Sequence, residues 1–161
     1  TAPWRDRPLA EQDAARARFM REVMLPMIRP AARELVRQHQ QAGDLVAIVT
    51  ATNEFVTRPL ADAFGVEHLI ATELQRDGRG HVTGRIQGTP SFREGKITRV
   101  DDWLAARGKT LADFERVHFY SDSSNDLPLM ERVSDPVATN PGAALEAVAH
   151  ERGWRILRLF A

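Results

Sequence analysis

The sequence predicts an α/β fold, a three-layer arrangement with a mostly parallel sheet between helices, on three observations. Short apolar runs of strand length recur at residues 44–50, 68–71, 117–120 and 136–139. They are continuous rather than alternating, as strands covered on both faces require. Helical periodicity fills much of the space between them, and that alternation is the signature of parallel pairing. Finally, two of these runs give way to polar residues just before a helical pattern, at the sheet edge where open α/β folds bind ligands.

Taken in order, residues 1–8 read as irregular, and 9–23 as a charged helix with Ala15, Phe19 and Val23 on one face. Pro26 and Pro30 are expected to interrupt it, with Pro30 in the first turn of a new helix over 31–41 that Gly43 stops. Residues 44–50 form a strand ending in the Thr50 hydroxyl, and Ala51-Thr52-Asn53 a turn. A helix over 54–64 closes at Gly65, with Pro59 marking a kink or restart. After the strand at 68–71, the Asp77-Gly78-Arg79-Gly80 turn predicts an antiparallel hairpin within 72–88. Helix 96–107 ends at Gly108, and a short 110–114 turn leads to the strand at 117–120. A strand at 136–139, a helix over 141–152 stopped by Gly153, and a strand at 155–160 complete the chain.

Composition bounds the function. The 161 residues make one domain, or one domain and a fragment of another. The 22 basic and 22 acidic side chains leave no net charge, which argues against nucleic acid or an anionic membrane as the main partner. No cysteine is present, so disulfides and thiolate metal sites are excluded. No apolar run approaches the ~20 residues of a transmembrane span. The opening Thr1-Ala2-Pro3-Trp4-Arg5 has no initiator Met and no signal-peptide character, and reads like a chain entered partway.

The chemistry concentrates in Phe119-Tyr120-Ser121-Asp122-Ser123-Ser124-Asn125-Asp126-Leu127-Pro128, where a buried strand hands over to a helix. Two readings fit it. Ser, Asp and Asn are routine turn and cap residues. Alternatively, carboxylates held this close repel by about 1–4 kcal/mol at 4 Å, and a hard divalent cation such as Mg²⁺ removes that cost. Thr50 reads either as a helix-approach cap or, with the amides after it, as a phosphate seat. Lys96 reads either as a solvated lysine or as a functional cation, since a positive charge at a helix start is unfavourable without a reason. Arg93 and Glu94, near Lys96, read either as facing substrate or, in preference, as a surface ion pair. The five His show no metal-ligand spacing, and Trp4, Trp103 and Trp154 read as packing residues.

The ordered set Ile48-Val49-Thr50-Ala51-Thr52-Asn53, Arg93-Glu94-Gly95-Lys96 and Tyr120-Ser121-Asp122-Ser123-Ser124-Asn125-Asp126 resembles the haloacid dehalogenase superfamily of phosphotransferases, in its phosphoserine-phosphatase-like class. The resemblance implies a Rossmann-like core over residues 30–161, with 1–29 the remnant of a helical cap. It implies that Thr50 hydrogen-bonds the transferring phosphoryl group and that Lys96 neutralises it. Asp122 would ligate Mg²⁺, Asp126 would hold the metal's waters or orient Lys96, and Asn125, Asn53 and the amide of Ala51 would contact phosphate.

The superfamily's strand ending in Asp-x-Asp, whose first Asp is the nucleophile, has no counterpart in this sequence; Asp6 and the adjacent Asp101-Asp102 do not substitute. That strand lies between those of Thr50 and Asp122, so these two are expected not to pair. The expected function is therefore a cytoplasmic phosphatase for a small phosphorylated metabolite, its nucleophile supplied by a missing N-terminal segment and the 161 residues alone inactive. The alternative is a non-catalytic phosphate-binding or interaction module of the same fold.

Overall fold

The computed structural model describes residues 8–160, so the expected irregular start, with Trp4 and Asp6, lies outside the described residues. Between Pro90 and Ser91 the chain divides into two compact units. Each carries a three-stranded sheet, and the fold is α/β.

In the first unit, helix α1 (Leu9–Phe19) continues through a π-helical turn (Met20–Met24) into α2 (Leu25–Met27). Pro26 was expected to interrupt this helix; the helix accommodates it but ends one residue later, at Met27, with Ile28 extended. A proline lacks an N–H, and its ring crowds the carbonyl four residues back. Here the turn just upstream is widened, Leu25 N–H reaching Met20 O, and the helix passes through. The expected buried face is also shifted by one residue. Phe19 and Val23 are 41% and 43% exposed, whereas Gln12 and Met20 are buried. Arg16, on the same row, lays its guanidinium 4.8 Å over the Phe55 ring. Helix α3 (Pro30–Ala42) ends as expected at Gly43, whose φ of 81° needs glycine.

Strand β1 (Ala47–Asn53) lies later than expected, and the presumed turn at 51–53 is its irregular end. Val49 faces Ile70 and Asn53 faces Thr72, so four residues of β1 span two of its partner. Asn53 then caps α4 (Glu54–Ala63), its Oδ1 accepting Val56 N–H at 3.2 Å. Pro59 sits inside α4 without breaking it; its ring takes a helical φ and costs the hydrogen bond to the Phe55 carbonyl.

Strand β2 (His68–Arg76) outruns its expected end at Ala71. Its first half pairs in parallel with β1, and its second half pairs antiparallel with β3 (Val82–Gln87). The hairpin turn is held by Asp77, whose Oδ1 accepts Arg79 and His81 N–H, each at 2.9 Å. Those backbone donors, His81's first, hold the Asp77 carboxyl below the usual range. Met20, Ala61, Val66, Ile70, Ala71, Leu74 and Val82 form the buried apolar set of this unit.

The second unit begins with α5 (Glu94–Ala105) and a 3₁₀ turn (Leu111–Asp113), then β4 (His118–Ser121). A 3₁₀ turn over Ser124–Asp126 leads into α6 (Leu127–Met130), with Pro128 in its first turn as expected. Strand β5 (Asp135–Thr139), α7 (Ala143–Arg152) and β6 (Arg155–Leu157) follow, and the sheet order β4-β5-β6 is parallel throughout. Strand β6 is shorter than the expected 155–160. Beyond it Asn140 substitutes for a ladder, its Oδ1 accepting Leu159 N–H at 2.8 Å and its Nδ2 donating to Phe160 O at 2.6 Å. The core here is Met130, Ala138, Leu145 and Ala149, with Phe119, Leu127, Trp154 and Ile156 packed on it. Strand β1 pairs with β2, and β4 with β5.

Candidate active site

In the second unit the chemistry starts where β4 runs out. Phe119 packs against the apolar core, which fixes the strand, and Ser121 ends it as a buried residue. The chain then turns on its own hydroxyls. Ser121 Oγ accepts Ser123 N–H at 3.1 Å, and Ser123 Oγ accepts Asn125 N–H at 3.2 Å. The 3₁₀ turn over Ser124–Asp126 carries Asp126 back beneath the strand end. There Asp126 Oδ2 accepts from Ser121 Oγ at 2.7 Å.

Asp126 Oδ1 lies 2.5 Å from Lys96 Nζ. Lys96 is 6% exposed and Asp126 7%. A lysine in the first turn of α5 faces the positive end of the helix dipole, and burial adds a desolvation cost. The paired carboxylate offsets both, so Lys96 is not a solvated lysine. Of the two roles the resemblance implies for Asp126, its contacts are those of orienting Lys96.

Asp122 is exposed at the C-terminal end of β4, and its carboxylate has no hydrogen-bond or ion-pair partner among the described residues. No group of three His, Asp or Glu side chains suited to a metal is found among the described residues. Mg²⁺ is ordinarily held through one or two carboxylates, waters and substrate phosphate. One unengaged carboxylate at the strand end fits that donor set.

In the first unit, Thr50 is half-buried, and its Oγ1 accepts Thr52 N–H at 3.2 Å. The cap of α4 is Asn53 rather than Thr50. Ala51 and Thr52 are exposed at the irregular end of β1, and Ala51 O accepts from Thr72 Oγ1 at 2.9 Å.

Two residues of the second unit stand differently from the sequence reading, which gave Ser121 no role and preferred a surface ion pair for Arg93. Ser121 fixes Asp126; the signal was a hydroxyl at the last position of a buried strand. Arg93 was read as half of a surface ion pair with Glu94. Instead its Nε donates to Asn125 Oδ1 at 3.4 Å, and its guanidinium lies 5.2 Å over the Phe92 ring. It has no carboxylate partner among the described residues. Two clefts of this unit, about 600 and 640 Å³, are lined by other residues, including Trp154 and Arg155 in one and Lys109 and Phe114 in the other. The phosphate-sized chemistry is not in either.

The family model of haloacid dehalogenase-like hydrolases matches residues 2–131. A histidinol-phosphatase of Neisseria meningitidis serogroup C is 50% identical over 139 residues, 86% of this chain and 63% of that protein. This chain therefore spans less than two thirds of that relative's length. The crystal structure of a protein of unknown function from Bordetella pertussis Tohama I is 52% identical, with a TM-score of 0.93 over 96% of this chain and 69% of that one. A substrate-bound phosphoserine phosphatase, 18% identical, superposes with a TM-score of 0.58 over 78% of this chain and 56% of its own, and shares the fold.

Proposed function

This chain belongs to the haloacid dehalogenase-like hydrolase family, in its phosphoserine-phosphatase-like class, and from that premise we propose that the intact protein is a Mg²⁺-dependent phosphomonoesterase. Its substrate is a small phosphorylated metabolite, and its site of action the cytoplasm. The observation that carries the reading is the buried Lys96–Asp126 pair tied to Ser121 at the end of a parallel strand.

In this reading Lys96 donates to the transferring phosphoryl group, and Asp126 holds the ammonium in place. Phosphoryl transfer depends on positioning and charge stabilisation, and a preorganised cation supplies both. Thr50, Asn53, the amide of Ala51 and Asn125 donate to the remaining phosphoryl oxygens. Asp122 would hold Mg²⁺, which when bound neutralises phosphoryl charge. The nucleophile is an aspartate of a segment outside these 161 residues, since no Asp-x-Asp occurs within them. Its carboxylate attacks phosphorus and the P–O ester bond breaks, the leaving oxygen taking a proton from that segment's second aspartate to become the alcohol. The same aspartate then takes a proton from the water that cleaves the phospho-aspartate to inorganic phosphate and the free carboxylate. Residues 1–29 belong to the cap and 30–161 to the catalytic core.

The same absence of Asp-x-Asp favours a second reading, a phosphate-binding module without turnover. Hydrolysis of a generic aryl phosphate by the full-length protein, with and without EDTA, separates them. Turnover abolished by EDTA and restored by Mg²⁺ supports the enzyme. Phosphate binding without turnover supports the module, and turnover indifferent to EDTA refutes the Mg²⁺ mechanism.

A further inference from the structure

Arg93 immediately precedes α5, and its backbone has φ 49° and ψ −122°. Glycine visits that region freely; a residue with a side chain reaches it only under strain. A glycine here would remove the strain and the side chain together, so the guanidinium is the feature retained against a backbone cost. Where that guanidinium sits gives the reason.

Arg93 Nε donates to Asn125 Oδ1 at 3.4 Å, which leaves the two Nη groups of Arg93 and the Nδ2 of Asn125 as donors without a mutual partner. The Phe92 ring, 5.2 Å from the guanidinium carbon, supports its flat face. The carbonyl of Arg93 accepts Lys96 N–H at 3.0 Å, so the same turn carries both cations. Their charges differ in one respect. The ammonium of Lys96 is matched by Asp126, whereas Arg93 has no carboxylate against it among the described residues. An exposed, unmatched planar fork beside a free amide donor is suited to two oxygens of one phosphate.

We propose that Arg93 is a phosphate-binding residue of this site, its Nη groups donating to phosphoryl oxygens alongside Asn125 Nδ2. The inference rests on the phosphatase reading and adds to it a residue that recognises the group transferred.

The test is titration of the full-length protein with inorganic phosphate by calorimetry, for wild type and for Arg93→Gly, Arg93→Gln, Arg93→Lys and Lys96→Ala. Arg93→Gly should weaken phosphate binding about tenfold or more while melting at or above the wild-type temperature, because the strain is gone. Arg93→Lys should fall between, keeping charge and losing the fork. In aryl phosphate hydrolysis the same variants should raise KM more than they lower kcat. Should Arg93→Gly melt below wild type, Arg93→Gln, which keeps the β-carbon and much of the stem, must show the same tenfold loss. Wild-type phosphate affinity in both variants overturns the proposal. If Lys96→Ala alone loses phosphate, only the assignment of Arg93 is wrong. If Lys96→Ala also binds phosphate as wild type does, the underlying site reading fails with it.

Discussion

Replacing Asp126 with Asn removes the charge that permits Lys96 to be buried while keeping the shape of the side chain. Both partners are less than a tenth exposed, so water cannot take over the lost interaction. Leaving one member of a buried ion pair unmatched costs about 3–5 kcal/mol. The new amide also presents a donor or an acceptor, not both acceptors, to Lys96 and Ser121, which now hold the two oxygens at 2.5 and 2.7 Å. The loss of one charge-assisted hydrogen bond, about 1.5–3 kcal/mol taken alone, overlaps with the first figure and is not added to it. For a protein of 150–250 residues each kcal/mol shifts Tm by about 2–4 °C, so a fall of about 6–20 °C is expected. Urea unfolding of the intact protein followed by circular dichroism, with a thermal scan, measures it. The control is Lys96→Met with Asp126→Leu, which removes both charges; that variant should recover most of the stability and none of the activity. An Asp126→Asn protein as stable as wild type, or a double variant no better than the single one, would refute the claim that this pair is buried and coupled.

Lys96→Ala should lower kcat/KM for an aryl phosphate by of order 10²-fold or more, comparable to losing one preorganised electrostatic donor; a folded variant with wild-type turnover would remove Lys96 from the site. Asp122→Asn should weaken Mg²⁺ activation in a metal titration and abolish most turnover, whereas unchanged Mg²⁺ dependence would exclude Asp122 as a ligand. In the hairpin, Asp77→Ala should speed amide exchange at Arg79 and His81, the two N–H groups its carboxylate accepts. The pH dependence of that turn follows from the same bonds. The folded-state pKa of Asp77 is lowered, so its stabilisation is complete above the ordinary carboxylate range. It disappears as pH falls through the lowered value. Exchange at His81 that is already fast at neutral pH would contradict this.

How much was legible in the sequence depended on the range of the interaction that decides each feature. Local chemistry was legible: Gly43, Gly65, Gly108 and Gly153 follow the helices they were expected to stop, with φ between 66° and 81°. The Asp77 turn and the Pro128 helix start were legible for the same reason, because each is settled within four or five residues. Strand limits were less so. Strand β2 reads as ending at Ala71 because the apolar run ends there, yet one extended segment serves a parallel partner and then an antiparallel one. That continuity is decided by β1 and β3, not by residues 72–76. Pro59 does not break its helix and Pro26 is followed by one more helical residue before the helix ends, because a breaker's effect depends on what the surrounding turns can absorb. A π turn absorbs one, and a single forfeited hydrogen bond accommodates the other. In the candidate site, Lys96, Asp122, Asn125 and Asp126 were singled out by order and residue type, and the structure brings Lys96 and Asp126 into contact. The hydroxyl of Ser121 and the backbone of Arg93 could not be, because a φ of 49° in a non-glycine residue leaves no mark on the sequence.

A charge count in the second unit makes its four ionisable site residues intelligible together. Lys96 and Arg93 bring two positive charges, and Asp122 and Asp126 two negative ones. The sum is zero, so this cluster by itself does not neutralise a phosphate dianion. Nor are the four equivalent. The Lys96–Asp126 pair is buried and internally matched; it contributes a directed donor more than a net field. The exposed pair, Arg93 and Asp122, is the adjustable part. A dianion placed against Arg93 leaves a deficit of positive charge, and the unengaged carboxylate of Asp122 is where a divalent cation would supply it. Under the proposed function such a cluster would bind phosphate and metal cooperatively, since each ligand would relieve the charge the other leaves uncompensated. The proposed Mg²⁺ requirement and the proposed role of Arg93 thus follow from one electrostatic balance rather than two.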